Sequence, residues 1–216
     1  AGAGILGPLL CVLLLSLSAR SGLAQTESHH VRCGFLVGEE RIRANKLAEG
    51  VQVEQERPVL VNAEFVDSPN NLFRVHFTRT GLDAVPLDDD NADGIPDYVE
   101  TAVRALDSGR LVSLWHGGDI PLPNDGVAGG SPALDVYLRD LSKAGSQGAG
   151  LYGITVLDSM VNRTPQEPYP RYTSWIEVDN DFAATDRNAF DQPVFATFGE
   201  DGLRVTCVHE YHHVVQ

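Results

Sequence analysis

The sequence predicts a mixed α+β domain in which strands and helices alternate along the chain. Three observations lead there. Short β-rich runs are bounded by Gly, Pro, Asn and Asp, one apolar stripe in the middle of the chain has helical spacing, and the last segment reads as a helix carrying closely spaced histidines.

The elements follow in order. Residues 59–66 and 72–77 are β-rich and partly alternating, and Asp67-Ser68-Pro69-Asn70-Asn71 between them reads as a turn. After an acidic loop, Val99, Ala102, Val103 and Leu106 stand at i, i+3, i+4 and i+7, the apolar stripe of a helix that Gly109 is expected to close. A Gly/Pro-rich stretch over 117–132 leads to strands at 134–138 and 152–157. A Pro-containing connection then leads to a strand at 174–178. The last helix starts near Asp201, a residue type suited to capping its N-terminus.

Both ends of the chain read as cut: it opens on Ala1 rather than Met and stops at Gln216 within a helical pattern. Residues 5–17 are almost wholly apolar, and about 13 helical residues reach only about 20 Å, short of the ~30 Å of a bilayer core. Ser21-Gly22-Leu23-Ala24 follows as a small-residue cleavage site, so residues 1–24 are read as a signal peptide without its basic start. Residues 25–57 are polar, with weak helical periodicity over 39–48, and read as a propeptide or linker. Residues 58–216 form the domain proper, incomplete at its C-terminal side.

The charge balance narrows the partners. Residues 1–24 hold one of the 16 basic side chains and none of the 30 acidic ones, which leaves fifteen against thirty and a net charge of −15 after cleavage. Such a surface repels nucleic acid and anionic lipid, so a secreted protein acting on protein or peptide, with no nucleic-acid partner and no membrane association after signal cleavage, is the expectation. Cys11 leaves with the signal peptide, and Cys33 and Cys207 can pair in an oxidising compartment or stay apart. Asn162-Arg163-Thr164 is a glycosylation sequon, and His29-His30 and His76 have no spacing partner.

His209-Glu210-Tyr211-His212-His213 has the form H-E-x-x-H. On a helix His209 and His213 project about 40° apart on successive turns, so two imidazoles can hold one tetrahedral Zn²⁺ at about 2.0–2.1 Å. Glu210 stands beside the first ligand as general base for a metal-activated water. Pairing His209 with His212 is a second geometric option. Cys207 lies about 200° round the helix from His209 and points away from such a metal. Gln216 stands where the longer H-E-x-x-H-x-x-G-x-x-H signature has Gly, so a third ligand is expected beyond residue 216, and the chain as given is expected to be inactive. The strand near 174–181 is considered as an edge strand that could hold substrate backbone.

Asp89-Asp90-Asn91-Ala92-Asp93-Gly94-Ile95-Pro96-Asp97-Tyr98-Val99-Glu100 fits a twelve-residue calcium loop. Side-chain oxygens come from Asp89, Asn91, Asp93, Asp97 and Glu100, a carbonyl from Ile95, and the sharp turn falls at Gly94. The plain alternative is an acidic turn with Asp97 capping the next helix.

Cys33-Gly34, Phe73-Arg74-Val75-His76-Phe77 leading to Gly81, Asp93-Gly94-Ile95-Pro96-Asp97-Tyr98, Asp135-Val136-Tyr137-Leu138 and the 209–216 segment together resemble a family of secreted bacterial zinc metalloproteases. The likeness spans most of the chain after residue 24. It implies a zincin-like metallopeptidase domain, a mixed sheet with an active-site helix, truncated at its C-terminus. It also implies His209 and His213 as zinc ligands and Glu210 as base, while the acidic loop, on its own residues, adds Ca²⁺ as a second expected cofactor. The competing reading is a calcium-stabilised secreted binding or adhesion module with incidental histidines and no catalysis.

Overall fold

The chain is described here by a computed structural model covering residues 56–117, 122–144, 150–161 and 171–215. The signal peptide, most of the N-terminal segment with Cys33 and His29-His30, the Asn162 sequon and Gln216 lie outside the described residues.

Asn62 sets where the first strand begins. Its backbone is left-handed (φ 54°), which breaks the extended run expected over 59–66 and leaves β1 as Glu64–Asp67 only. Ahead of it, Leu60 is buried while Val59 and Val61 are exposed, and the Thr78 hydroxyl donates to the Val61 carbonyl at 2.7 Å. The turn appears as expected. Ser68 Oγ accepts the N–H groups of Leu72 and Phe73, both at 3.1 Å, and Asn71 takes the positive φ that reverses the chain into β2, Phe73–Phe77. β1 and β2 pair antiparallel, Phe65 opposite His76.

Helix α1 spans Asp97–Gly117, two turns past the stop expected at Gly109. Gly109 faces a second helix. A Cβ there would lie 3.4 Å from the Tyr211 ring and 3.5 Å from Val208 Cα, ordinary van der Waals contact, so the helix runs on through a glycine that its surroundings do not require. α1 is the crossover that returns the chain to β3, Leu134–Arg139, parallel to β2. β4, Gly153–Val161, and β5, Arg171–Asp179, form an antiparallel pair, and β5 lies parallel to β3. The sheet order is β1-β2-β3-β5-β4. The segment considered as an edge strand, near 174–181, is therefore interior. The edge on that side is β4, because β5 returns to fill the place beside β3 and leaves the preceding strand outermost, with β1 at the opposite edge.

Helix α2, Gly199–Val215, packs beside α1 on the same face of the sheet. Phe73, Val75, Phe77, Val136, Leu138, Ile176 and Val178 meet Val99, Ala102 and Leu106 of α1 and Leu203, Cys207 and Tyr211 of α2. β2, β3 and β5 are buried on both faces, as interior parallel strands are. On the other face Tyr137, Ile154, Val156 and Trp175 cluster beneath Leu60. No helix among the described residues is long and apolar enough to cross a membrane.

Candidate metal centre

Helix α2 starts two residues earlier than Asp201, so Asp201 sits in the first turn, where its carboxylate pairs with Arg204 at 3.0 Å. Its negative charge, with that of Glu200, favours the positive end of the helix dipole. Leu203, Thr206, Cys207, Glu210 and Tyr211 face inward, while His209 and His212 face solvent and His213 is half-buried. That one-sided burial fixes the helix about its own axis.

His209 and His213 come together as the i, i+4 spacing predicts. Their Nε2 atoms are 3.1 Å apart and the rings meet edge to face, 4.7 Å between centroids. Two nitrogens at about 2.0–2.1 Å from a tetrahedral ion would stand about 3.3–3.4 Å apart, so the pair fits a zinc ion with only a small opening of the rings. Partial burial, and to a lesser extent the neighbouring His212, hold the His209 pKa below its ordinary value, which favours the neutral ring a metal needs. His212 lies with its ring centroid 6.5 Å from that of His213, and the pair brought nitrogen to nitrogen is His209 with His213.

Glu210 is 1% exposed and lies between α2 and the edge strand β4. Thr155 Oγ1 is 2.9 Å from Glu210 Oε2 and 2.9 Å from the Glu210 carbonyl oxygen, so its single proton is shared between two acceptors of the same residue, one on the side chain and one on the backbone. Gly153, two residues earlier, makes room. A Cβ there would stand 2.8 Å from Glu210 Cγ and 2.7 Å from Thr206 Cγ2. Neither contact was legible in the sequence. Alternation along β4 puts Gly153 and Thr155 on one face, but nothing local says that this face meets a residue 55 positions later.

Cys207 is wholly buried in the core and has no disulfide partner among the described residues; burial drives its thiol pKa far up, so as a thiol it is neutral and points away from the histidine pair. His76, without a spacing partner in the sequence, is buried on the opposite face of the sheet, 2.8 Å from Asp135 Oδ1 and stacked on Tyr137.

The acidic loop closes on itself. Asp89 accepts the N–H groups of Asp93 (3.2 Å) and Gly94 (2.9 Å), and Asp93 accepts that of Ile95 (2.8 Å). Gly94 turns the chain at φ 89°. The Asn91 amide nitrogen stands 3.2 Å from Asp93 Oδ2 and 3.4 Å from Glu100 Oε1, its positive end drawing two carboxylates together as a cation would. Asp97 opens α1 but turns its Oδ2 back to the Asp90 N–H at 3.0 Å, and the Ile95 side chain packs on the core. Asn91, Asp93 and Glu100 are thus gathered, whereas Asp97 is turned aside. Tyr98 anchors the following helix by donating from its hydroxyl to the Asp179 carbonyl at 3.1 Å.

No protein-family model, no curated protein and no solved structure matches the chain. The likeness to secreted metalloproteases rests on its own motif residues.

Among the described residues, the one trio of acidic groups whose ligand oxygens lie within 4.8 Å of one another is Asp179, Asp181 and Asp186, not the 89–100 loop. Asp179 is fully buried and accepts N–H bonds from Leu141 (2.9 Å), Phe182 (2.8 Å) and Asp181 (3.2 Å). Burial still outweighs those donors and lifts its pKa to about 7. In the sequence the trio's only local trace is Asp179-Asn180-Asp181, three consecutive residues suited to turn formation at the end of a strand.

Proposed function

We propose that this chain belongs to a secreted zinc-dependent metallopeptidase and carries the helix that binds the metal. The observation behind this reading is the His209–His213 pair, nitrogen to nitrogen at 3.1 Å on successive turns, with Glu210 on the next position of the same helix. His209 and His213 would hold the ion through Nε2. Zinc bound there would supply Lewis acidity and an activated water. Glu210 would take and return a proton, and its burial against β4, which restricts its orientation and its contact with bulk water, supports that role.

The edge position of β4 supports a peptide substrate. Its outer backbone groups can pair with an extended chain by strand addition, which would lay the peptide alongside Thr155 and Glu210. We assign Ca²⁺ a stabilising role at Asp89, Asn91, Asp93, Ile95, Asp97 and Glu100. That role requires Asp97 to swing away from the Asp90 N–H and the Asn91 amide to turn over, presenting its oxygen to the ion.

The test compares the full-length protein with Glu210→Gln, measuring zinc content and hydrolysis of a set of protein substrates. The reading expects zinc in both and hydrolysis in the unmodified protein alone. Equal hydrolysis in the two proteins contradicts it. Absence of zinc from both favours the calcium-stabilised binding module instead.

A further inference from the structure

We infer that Thr155 is a positioning residue for Glu210, and that Gly153 and Thr155 of the edge strand form the cradle that sets the carboxylate's direction. This rests on the reading of Glu210 as general base.

A glutamate side chain has three rotatable bonds, and a base that must meet a water at hydrogen-bond distance works only when those bonds are restricted. In α2 the restriction comes from outside the helix. Thr155 is 1% exposed, and its hydroxyl reaches Glu210 Oε2 and the Glu210 carbonyl oxygen at the same 2.9 Å. The one hydroxyl proton is shared between these two acceptors, which holds the carboxylate next to its own backbone carbonyl and so restricts its direction. Gly153 completes the arrangement from below, since any side chain there would collide with Glu210 Cγ at 2.8 Å and with Thr206 Cγ2 at 2.7 Å. Thr at 155 meets two needs at once. Its β-branch suits a strand, and its hydroxyl supplies the donor a buried carboxylate requires. Valine has the same shape and lacks the donor. Serine has the donor and lacks the methyl.

Because β4 is also the sheet edge, the group that orients the base belongs to the strand against which a peptide would pair. Substrate docking and base alignment then share one element, and a substrate that displaces β4 would misalign Glu210 as well.

The experiment uses full-length protein carrying Thr155→Val, Thr155→Ser, Gly153→Ala, Glu210→Gln and the Thr155→Val/Glu210→Gln double substitution. Zinc content and thermal midpoint are recorded for each. Thr155→Val is expected to keep its zinc and lower kcat by about 10- to 100-fold, the usual effect of removing a supporting partner, with KM within about twofold. Thr155→Ser is expected to restore most of kcat, Gly153→Ala to lower it, and the double substitution to be no slower than Glu210→Gln. An arm independent of hydrolysis follows the ¹³C carboxyl resonance of Glu210, identified by its loss in Glu210→Gln. It should shift in Thr155→Val and return in Thr155→Ser. An unmoved resonance, or a serine variant as impaired as the valine one, overturns the inference. Full hydrolysis by Glu210→Gln overturns the peptidase reading instead and leaves the resonance to judge the cradle.

Discussion

The guanidinium of Arg57 pairs with Asp135 at the start of β3, 78 residues further along the chain, on the face of the sheet away from both helices. It also pairs with Asp125, approaches Asp158 at 3.4 Å and lies over the Trp175 ring at 5.2 Å. Asp135 is fully buried, and a Cβ on Gly129 would strike its carboxylate, so the loop before β3 is shaped to this ion pair as well. Arg57, read from sequence as the end of a propeptide or linker, is thus packed into the domain.

Removing Arg57 therefore takes the guanidinium from two buried carboxylate side chains, Asp125 and Asp135, and leaves Asp135 its contact with His76. Arg57→Met is expected to lower stability by about 3–5 kcal/mol, the range for breaking one side of a buried pair. Arg104→Met, which loses a more exposed partner in Glu100 one helical turn away, is expected to lower it by less than about 1 kcal/mol. Urea unfolding of both variants checks the contrast, and equal small losses would contradict it.

Two glycines at the helices give opposite expectations. At Gly109 a Cβ meets its neighbours at 3.4 Å or more, an ordinary contact, so Gly109→Ala is expected to be neutral or to stabilise by up to about 1 kcal/mol through helix propensity. At Gly202 the Cβ would stand 2.7 Å from the Phe182 ring and 2.9 Å from the Thr197 carbonyl oxygen, so Gly202→Ala is expected to cost about 1–3 kcal/mol by overpacking. Thermal unfolding of the two variants decides, and a destabilised Gly109→Ala with a neutral Gly202→Ala would contradict this packing.

The sequence carried much of this fold but not its arrangement. The strands at 72–77, 134–138 and 174–178 were legible because their residues are buried on both faces and so read as continuous β-formers. The first strand is shorter than its β-rich run suggests, because Val59, Leu60 and Val61 have strand-like side chains while Asn62 turns the backbone. Gly109 was read as a stop because a glycine's role depends on what lies opposite, here Tyr211 and Val208. Strand order in the sheet is set by crossovers, so no local pattern could say that β4 rather than β5 forms the edge. The histidine pair was legible for the converse reason: i, i+4 geometry is local to one helix turn.

Asp179 makes stability depend on pH. Its pKa rises from an ordinary 3.8 to about 7 in the folded chain because burial disfavours the charged form. Between about pH 4 and 7 the folded state holds a proton that the unfolded state has released, so this residue's contribution falls as pH rises through that window. The full effect is on the order of 4 kcal/mol and levels off above pH 7. Urea unfolding from pH 4 to 8 should show a shallower decline in Asp179→Asn than in the unmodified protein. Identical slopes would contradict the assignment.

The acidic loop makes a prediction about cations. Calcium should raise the thermal midpoint by relieving repulsion among Asp89, Asp93 and Glu100. Glu100→Gln, which removes the residue expected to bind with both oxygens, should weaken calcium's effect by about tenfold or more in concentration. A midpoint unmoved by millimolar calcium would leave the loop as a self-capped turn.

The most direct test of the account is zinc X-ray absorption on the full-length protein and on His213→Ala. We expect one zinc per chain in the unmodified protein, with imidazole nitrogens at about 2.0–2.1 Å, and zinc affinity more than about 100-fold weaker in the variant. Zinc bound equally well by both proteins, or no imidazole in the coordination shell, would contradict the central claim that His209 and His213 hold the metal.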